Sequence, residues 1–129
     1  MNCELTPVTI RIMADEIWKP VLNYEGLYSV SNLGRIYSER RNVILKPEIS
    51  DCGYLRIRFK KNGSQRRFRV HRVVAFAFLE NPEDKPYVNH KNHNKIDNRL
   101  CNLEWVTPSE NTKAWHEYKK SLGIKPVYL

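Results

Sequence analysis

Between residues 55 and 70, apolar and charged positions take turns. Leu55, Ile57 and Phe59 alternate with Arg56, Arg58 and Lys60, and on the far side Arg67 and Arg69 alternate with Phe68 and Val70. A period of two is the mark of a half-buried strand. Asn62-Gly63 lies between the two runs and supplies a tight turn. The segment therefore predicts an antiparallel hairpin with an apolar face inward and an Arg/Lys face outward. Upstream, Tyr28-Ser29-Val30 and Arg35-Ile36-Tyr37 are short runs broken by Glu25-Gly26 and Asn32-Leu33-Gly34, which reads as a small β-meander. Val43 to Lys46 adds a short strand before Pro47, and Thr9 to Met13 alternates weakly enough to be an edge strand in an N-terminal leader. Tyr24, Tyr28, Trp18 and Trp105 are expected in the core.

Downstream the period changes. His71 to Leu79 is apolar at nearly every position after Arg72, so it is a short buried helix or a core strand. Phe76 and Phe78, flanked by alanines, favour the helix. His71 is then a structural residue between hairpin and helix. Residues 89 to 102 form a polar stretch with five Asn and two His. Leu103 to Val106 reads as a strand. In Thr107-Pro108-Ser109-Glu110, Thr107 is an N-cap, Pro108 suits the first helical position, and Glu110 completes a capping box. The helix so begun is expected to reach about Ser121. The C-terminal third is thus strand, long polar loop, strand, helix. A loop of that length needs something to hold it: a metal ion, a network of asparagine hydrogen bonds, or both. The class is α+β.

Charge sharpens the picture of the hairpin. The 129 residues carry a net charge of +8. Arg56, Arg58, Lys60, Lys61, Arg66, Arg67, Arg69 and Arg72 lie within residues 55 to 72, where there is no acid. The segments before and after come to −1 and +1, so the whole excess sits in this stretch. A merely solvated face usually mixes signs. Concentrated positive charge is relieved by a polyanion, and nucleic acid is the natural one. The longest apolar run, Val73 to Leu79, is too short to span a bilayer. Cys3, Cys52 and Cys101 are odd in number and widely spaced, without a CxxC pair. That points away from a disulfide framework and a structural zinc site, and towards a reducing cytoplasm.

The segment Val88-Asn89-His90-Lys91-Asn92-His93-Asn94-Lys95, then Asn98, then Asn102-Leu103-Glu104-Trp105-Val106-Thr107-Pro108-Ser109-Glu110-Asn111, resembles the HNH endonucleases, in particular the branch found among phage and group I intron homing enzymes. The run opening at His71-Arg72-Val73-Val74 is similar to the start of that branch. Ile17-Trp18-Lys19-Pro20 and Tyr24-Glu25-Gly26-Leu27-Tyr28-Ser29-Val30-Ser31-Asn32-Leu33-Gly34-Arg35-Ile36 resemble the small nuclease-associated module that often precedes it. The implied layout is a leader over residues 1–15, a nuclease-associated β module with the basic hairpin over 16–70, an HNH ββα-metal unit over 71–122 and a tail over 123–129. The short stretch after the last helix leaves no expectation of the C-terminal specificity module that relatives often add.

Phosphodiester hydrolysis needs a base for water, a Lewis acid, and stabilisation of the leaving oxygen. His90 is suited to the first task, because imidazole titrates near neutrality. If the two strands fold as a hairpin onto the last helix, the amide oxygens of Asn89 and Asn111 can share one site, and hard oxygen donors suit Mg²⁺ or Mn²⁺. The resemblance implies His90 as general base, Asn89 and Asn111 as metal ligands, and Asn102 as a residue that braces the loop and orients His90. Many relatives carry Asp before the base histidine and His at the last position. Asn stands at both places here. Neutral ligands hold a cation less tightly, so phosphate is expected to contribute charge. His93 stands where relatives often have Gly, and either strains the loop turn or adds a DNA-phosphate contact. The expected activity is divalent-metal-dependent cleavage of double-stranded DNA, by nicking or by a double-strand break from a homodimer, in the cytoplasm of a bacterial or phage-infected cell. The alternative is a non-cleaving DNA-binding regulator built on the same fold.

Overall fold

A computed structural model describes residues 16–121. The strand anticipated at Thr9 to Met13 lies outside them. The chain begins with a four-stranded antiparallel meander, β1 (Trp18–Pro20), β2 (Tyr28–Ser31), β3 (Ile36–Ser38) and β4 (Val43–Ile44), hydrogen-bonded in sequence order. A second antiparallel sheet follows: β5 (Glu48–Ile49), β6 (Leu55–Lys61) and β7 (Ser64–Arg69). Helix α1 (Val70–Phe78) leaves β7 directly. Then come β8 (Tyr87–His90), a loop closed by a 3₁₀ turn at Leu100–Asn102, β9 (Leu103–Val106) and helix α2 (Pro108–Ser121).

The anticipated hairpin is β6–β7. Asn62 and Gly63 both take positive φ, 51° and 79°, the combination a type I′ turn requires. The two-residue turn pairs Lys61 with Ser64 and so fixes every pair behind it, Arg58 with Arg67 and Arg56 with Arg69 among them. At the other end of the molecule the capping box forms as read. Glu110 N–H donates to Thr107 Oγ1 at 3.1 Å, and Thr107 N–H donates to Glu110 Oε1 at 3.1 Å.

One core joins the sheets. Val70, Val73, Val74 and Ala75 of α1 pack with Val30 and Ile36 of the meander, Ile57 and Phe59 of β6, and Val88 and Leu103 of the β8–β9 hairpin. Tyr24 and Tyr28 are buried in it, and Tyr28 lies 4.5 Å from Phe59 between ring centroids. The Tyr28 hydroxyl also accepts from the Lys60 backbone N–H at 3.0 Å, tying meander to hairpin. Trp105 is half-buried against this core. Trp18 is not part of it. That side chain sits on edge strand β1, is 36% exposed, and meets Tyr37 edge-on, because an edge strand with one neighbour has no second layer to cover it. Cys101 takes part in a disulfide, contrary to the expectation of unpaired thiols, whereas Cys52 is free and exposed.

The meander also grips the polar loop. Leu100 N–H donates to Asn32 O at 2.8 Å. Gly34 takes φ of +87°, and a Cβ there would stand 2.9 Å from the Asn98 carbonyl oxygen. Only glycine suits both the left-handed backbone and that approach. No helix among the described residues is long and apolar enough to cross a membrane.

Candidate active site

Strand β8 presents Asn89 and His90, and β9 runs back beside it with Asn89 opposite Glu104 and His90 opposite Leu103. Residues 91–102 between them are held by asparagine side chains, the second of the two means the sequence left open. Asn102 is the hub. Its Oδ1 accepts from Asn92 N–H at 3.0 Å, and its Nδ2 donates to Asn92 Oδ1 at 2.9 Å and to the Asp97 carbonyl at 2.8 Å. Asp97 is locked in turn by Arg99, with two contacts of 2.8 Å, and by Asn92 Nδ2 at 2.8 Å. The Arg99 guanidinium, foremost, draws the Asp97 carboxyl down to about 2. His93 closes the turn after His90 with φ of +62°, a left-handed position that accounts for glycine being the residue expected there.

His90 is 4% exposed. The residue that holds its ring is Asn98, not Asn102: Asn98 Oδ1 lies 2.7 Å from Nε2. An amide oxygen only accepts, so Nε2 is assigned the proton and Nδ1 the free lone pair. Burial lowers the His90 pKa, opposed by the Asn98 bond and by Asp97 and assisted by Lys95. His71 stacks on Tyr54 at 5.1 Å and meets His90 at a tilt at 4.8 Å, and Tyr54 lies 6.0 Å from His90, so the three rings form a triangle. Burial, then the neighbouring His90, Arg69 and Arg72, drive the His71 pKa down to about 3, so this ring is neutral at physiological pH.

Asn89, His90 and Asn111 line a single groove of roughly 640 Å³, together with Tyr54, His71, His93, Thr112 and Trp115. Its cationic wall is Arg67, Arg69, Arg72 and Lys95, and among the described residues no carboxylate lines it. The three residues whose convergence the nuclease reading needs are therefore brought to one place, on β8 and in the first turn of α2. Asn111 is exposed, and Asn89 is half-buried. Among the described residues no group of three or more His, Cys, Asp or Glu is placed to hold a metal. The groove's side-chain amides are those of Asn89 and Asn111. Their oxygens would suit a hard divalent cation, with phosphate and water supplying the remaining ligands and counter-charge.

The eight cations of residues 55–72 divide. Residues opposite one another in a sheet share a face, so the register puts Arg56, Arg58, Lys60, Arg67 and Arg69 on one side. Lys61 and Arg66 fall on the other side, with Ile57 and Phe59. Lys61 Nζ donates to Asn23 O at 2.6 Å, and the Arg66 guanidinium lies 5.6 Å from the Phe68 ring. Both are exposed, on the face opposite the other five hairpin cations. Arg72 belongs to α1. It donates to Pro86 O at 2.8 Å and covers Phe76 and Trp105, so it braces the fold while reaching the groove wall. The patch also acquires an acid that the local sequence lacks. Glu48 on β5 pairs with Arg56 at 3.5 Å and Arg58 at 3.8 Å. Arg67, Arg69 and Lys95 are the cations nearest the site. Arg69 and Lys95 flank Tyr54, at 4.5 and 4.8 Å from its ring.

Residues 16–60 match the NUMOD4 motif, and residues 68–113 match the HNH endonuclease family. The chain carries a NUMOD4 motif followed by an HNH endonuclease domain. It is 44% identical over 96 residues to DNA endonuclease I-HmuI of Bacillus phage SP01, covering 74% of this chain and 55% of that protein. An uncharacterized HNH endonuclease of Acanthamoeba polyphaga mimivirus is 43% identical over 84 residues, 65% of this chain and 26% of that protein. The solved structure of DNA binding and cleavage by the HNH homing endonuclease I-HmuI superposes with a TM-score of 0.75 at 41% identity, covering 86% of this chain and 62% of that one. The α+β architecture of β module and HNH unit is thus shared. The chain spans between about a quarter and just over half of the length of these curated relatives.

Proposed function

We propose that this HNH domain is a divalent-metal-dependent DNA endonuclease in which His90 is the general base and Asn89 and Asn111 are the metal ligands. The observation that carries the reading is the single groove shared by these three side chains and by Arg67, Arg69 and Lys95. The guanidinium and ammonium groups hold the backbone of double-stranded DNA along the wall. Nδ1 of His90 takes a proton from the attacking water, while Asn98 keeps the ring in the tautomer that leaves Nδ1 basic. The lowered pKa keeps that lone pair available at neutral pH. When bound, Mg²⁺ or Mn²⁺ supplies Lewis-acid polarisation of the phosphoryl oxygen and stabilises the departing 3′ oxygen. Asn102 acts through the loop, fixing the strand end from which His90 projects. The products carry 5′-phosphate and 3′-hydroxyl ends. One site per chain nicks, and a double-strand break takes two chains or two events. The cytoplasm of a bacterial or phage-infected cell is the compartment that supplies such DNA.

The absence of a carboxylate among the described residues of the groove favours a second reading, a DNA-binding protein that does not cleave. Plasmid nicking separates the two. With Mg²⁺ or Mn²⁺ the wild type is expected to convert supercoiled to open-circular DNA, and His90→Ala is not. Supercoiled DNA left intact by the wild type across both metals would establish the non-cleaving reading instead.

A further inference from the structure

Glu104 has no place in the scheme above, yet it is the direct cross-strand partner of Asn89. Asn89 Nδ2 donates to Glu104 Oε1 at 2.9 Å. Glu104 is half-buried, shares Asn89's face of the hairpin and does not line the groove. A side-chain amide has two chemically opposite ends. Its oxygen can ligate a cation, and its NH₂ group repels one. Rotation about the terminal torsion exchanges the ends, and that torsion is broad and nearly two-fold. A carboxylate accepts hydrogen bonds and never donates them, so Glu104 settles the choice by capturing Nδ2. It also polarises the amide towards its oxygen, restoring part of the charge that a neutral ligand lacks.

We infer that Glu104 is a positioning residue for the metal site, holding the Asn89 amide so that Oδ1 faces the cation. The inference rests on the metal-dependent reading of the groove. It also gives a physical reason why Asn serves at position 89: the negative charge lies one hydrogen bond further out.

The test uses the full chain bound to duplex DNA, with Mn²⁺ as the probe and paramagnetic broadening of the Asn111 side-chain amide signal as the readout. In the wild type, Mn²⁺ broadens the Asn89 and Asn111 amides together. Glu104→Gln raises the midpoint of the Asn111 effect about ten-fold, the usual scale for loss of an outer-shell partner. Glu104→Asp, which keeps the charge but cannot span the same distance, also raises it. In an Asn89→Asp background the effect shrinks. An Asp ligand has two equivalent oxygens to offer, so no orientation is left for Glu104 to set, and Glu104→Gln raises the midpoint by less than in the wild-type background. A purely structural Glu104 would weaken binding equally in both backgrounds. No broadening at either asparagine in the wild type defeats the metal reading itself. Broadening in the wild type with a midpoint unchanged within two-fold in Glu104→Gln, or raised by the same factor in both backgrounds, overturns the inference alone.

Discussion

The β6–β7 hairpin and the β8–β9 loop both face the groove, and they are built on opposite principles. The hairpin is made of repeated, similar, exposed cations on a regular ladder. Arg56, Arg58, Lys60, Arg67 and Arg69 share one face, and each can stand in for part of its neighbour. The loop is made of single residues that do different things. Asn102 satisfies Asn92 and Asp97 at once, Asn98 holds the His90 ring, and Arg99 locks Asp97. Hairpin losses should therefore be graded and spread over all DNA sequences. Loop losses should be abrupt, because each buried polar group left behind is orphaned.

The largest effect is expected at the base. His90→Ala should lower single-turnover cleavage by about 10²- to 10⁴-fold while leaving DNA affinity at moderate salt within a few-fold of wild type. Equal loss of affinity would place His90 in binding, and the contrast between the regions would dissolve. Next comes the hub. Asn102→Ala strands the Asn92 amide and the Asp97 carbonyl, and should cost about 2 to 3 kcal/mol in urea unfolding, with a fall in cleavage rate that exceeds any change in DNA affinity. Gly34→Ala tests the same loop from outside the HNH unit. A Cβ 2.9 Å from Asn98 O should shift the residue that holds His90, and so should slow cleavage from within the NUMOD4 motif.

The hairpin comes third. Arg67→Glu with Arg69→Glu should weaken binding to all duplexes alike and flatten the slope of log affinity against log salt by roughly 2. Lys61→Ala should change that slope hardly at all, because its ammonium is spent on Asn23 O. A Lys61 effect as large as that of Arg67 would show that the register does not sort the cations.

Much of the fold was legible because its signals are local. Asn62-Gly63 and the alternation around it give the β6–β7 ladder, and Thr107 with Glu110 gives the start of α2. His90, Asn89 and Asn111 came through resemblance, since nothing in their spacing says that β8 and α2 meet. Asn98 was missed as the partner of His90, although it lies within the same motif. It reaches the ring through an irregular loop ending in a 3₁₀ turn, where no periodicity says which side chain points inward. Glu48 was missed for a similar reason: a two-residue strand gives no pattern, and only pairing with Arg56 brings its charge to the patch. Lys61 and Arg66 belong to the basic stretch by charge counted along the chain, and only the register separates them by face from the other five. Trp18 was expected inside because large aromatics usually are, and the edge position that exposes it is a property of the sheet.

Acid acts on the same loop and its neighbours. Folding lowers the pKa of His71 from 6.5 to about 3 and lowers that of His90, chiefly by burial. The unfolded chain then binds more protons, so stability present above about pH 6.5 is lost progressively as pH falls towards 3. Asp97, held near 2, adds a further loss below its ordinary range near 3.8. Urea midpoints should thus decline from pH 7 to pH 5, and His71→Phe should reduce the decline. The acid limb of the cleavage profile should lie below the ordinary histidine value of about 6.5. A limb above it would mean that His90 is stabilised as the cation and is not poised as a base.

The convergence of Asn89, His90 and Asn111 on one cation is most directly tested by anomalous diffraction from a DNA complex soaked with Mn²⁺. The account requires one Mn²⁺ peak about 2.1 Å from both Asn89 Oδ1 and Asn111 Oδ1, with a phosphate oxygen completing the shell and His90 Nδ1 facing the scissile phosphorus. A peak bound elsewhere on the chain, or DNA seated on the hairpin with its backbone turned away from His90, would contradict it.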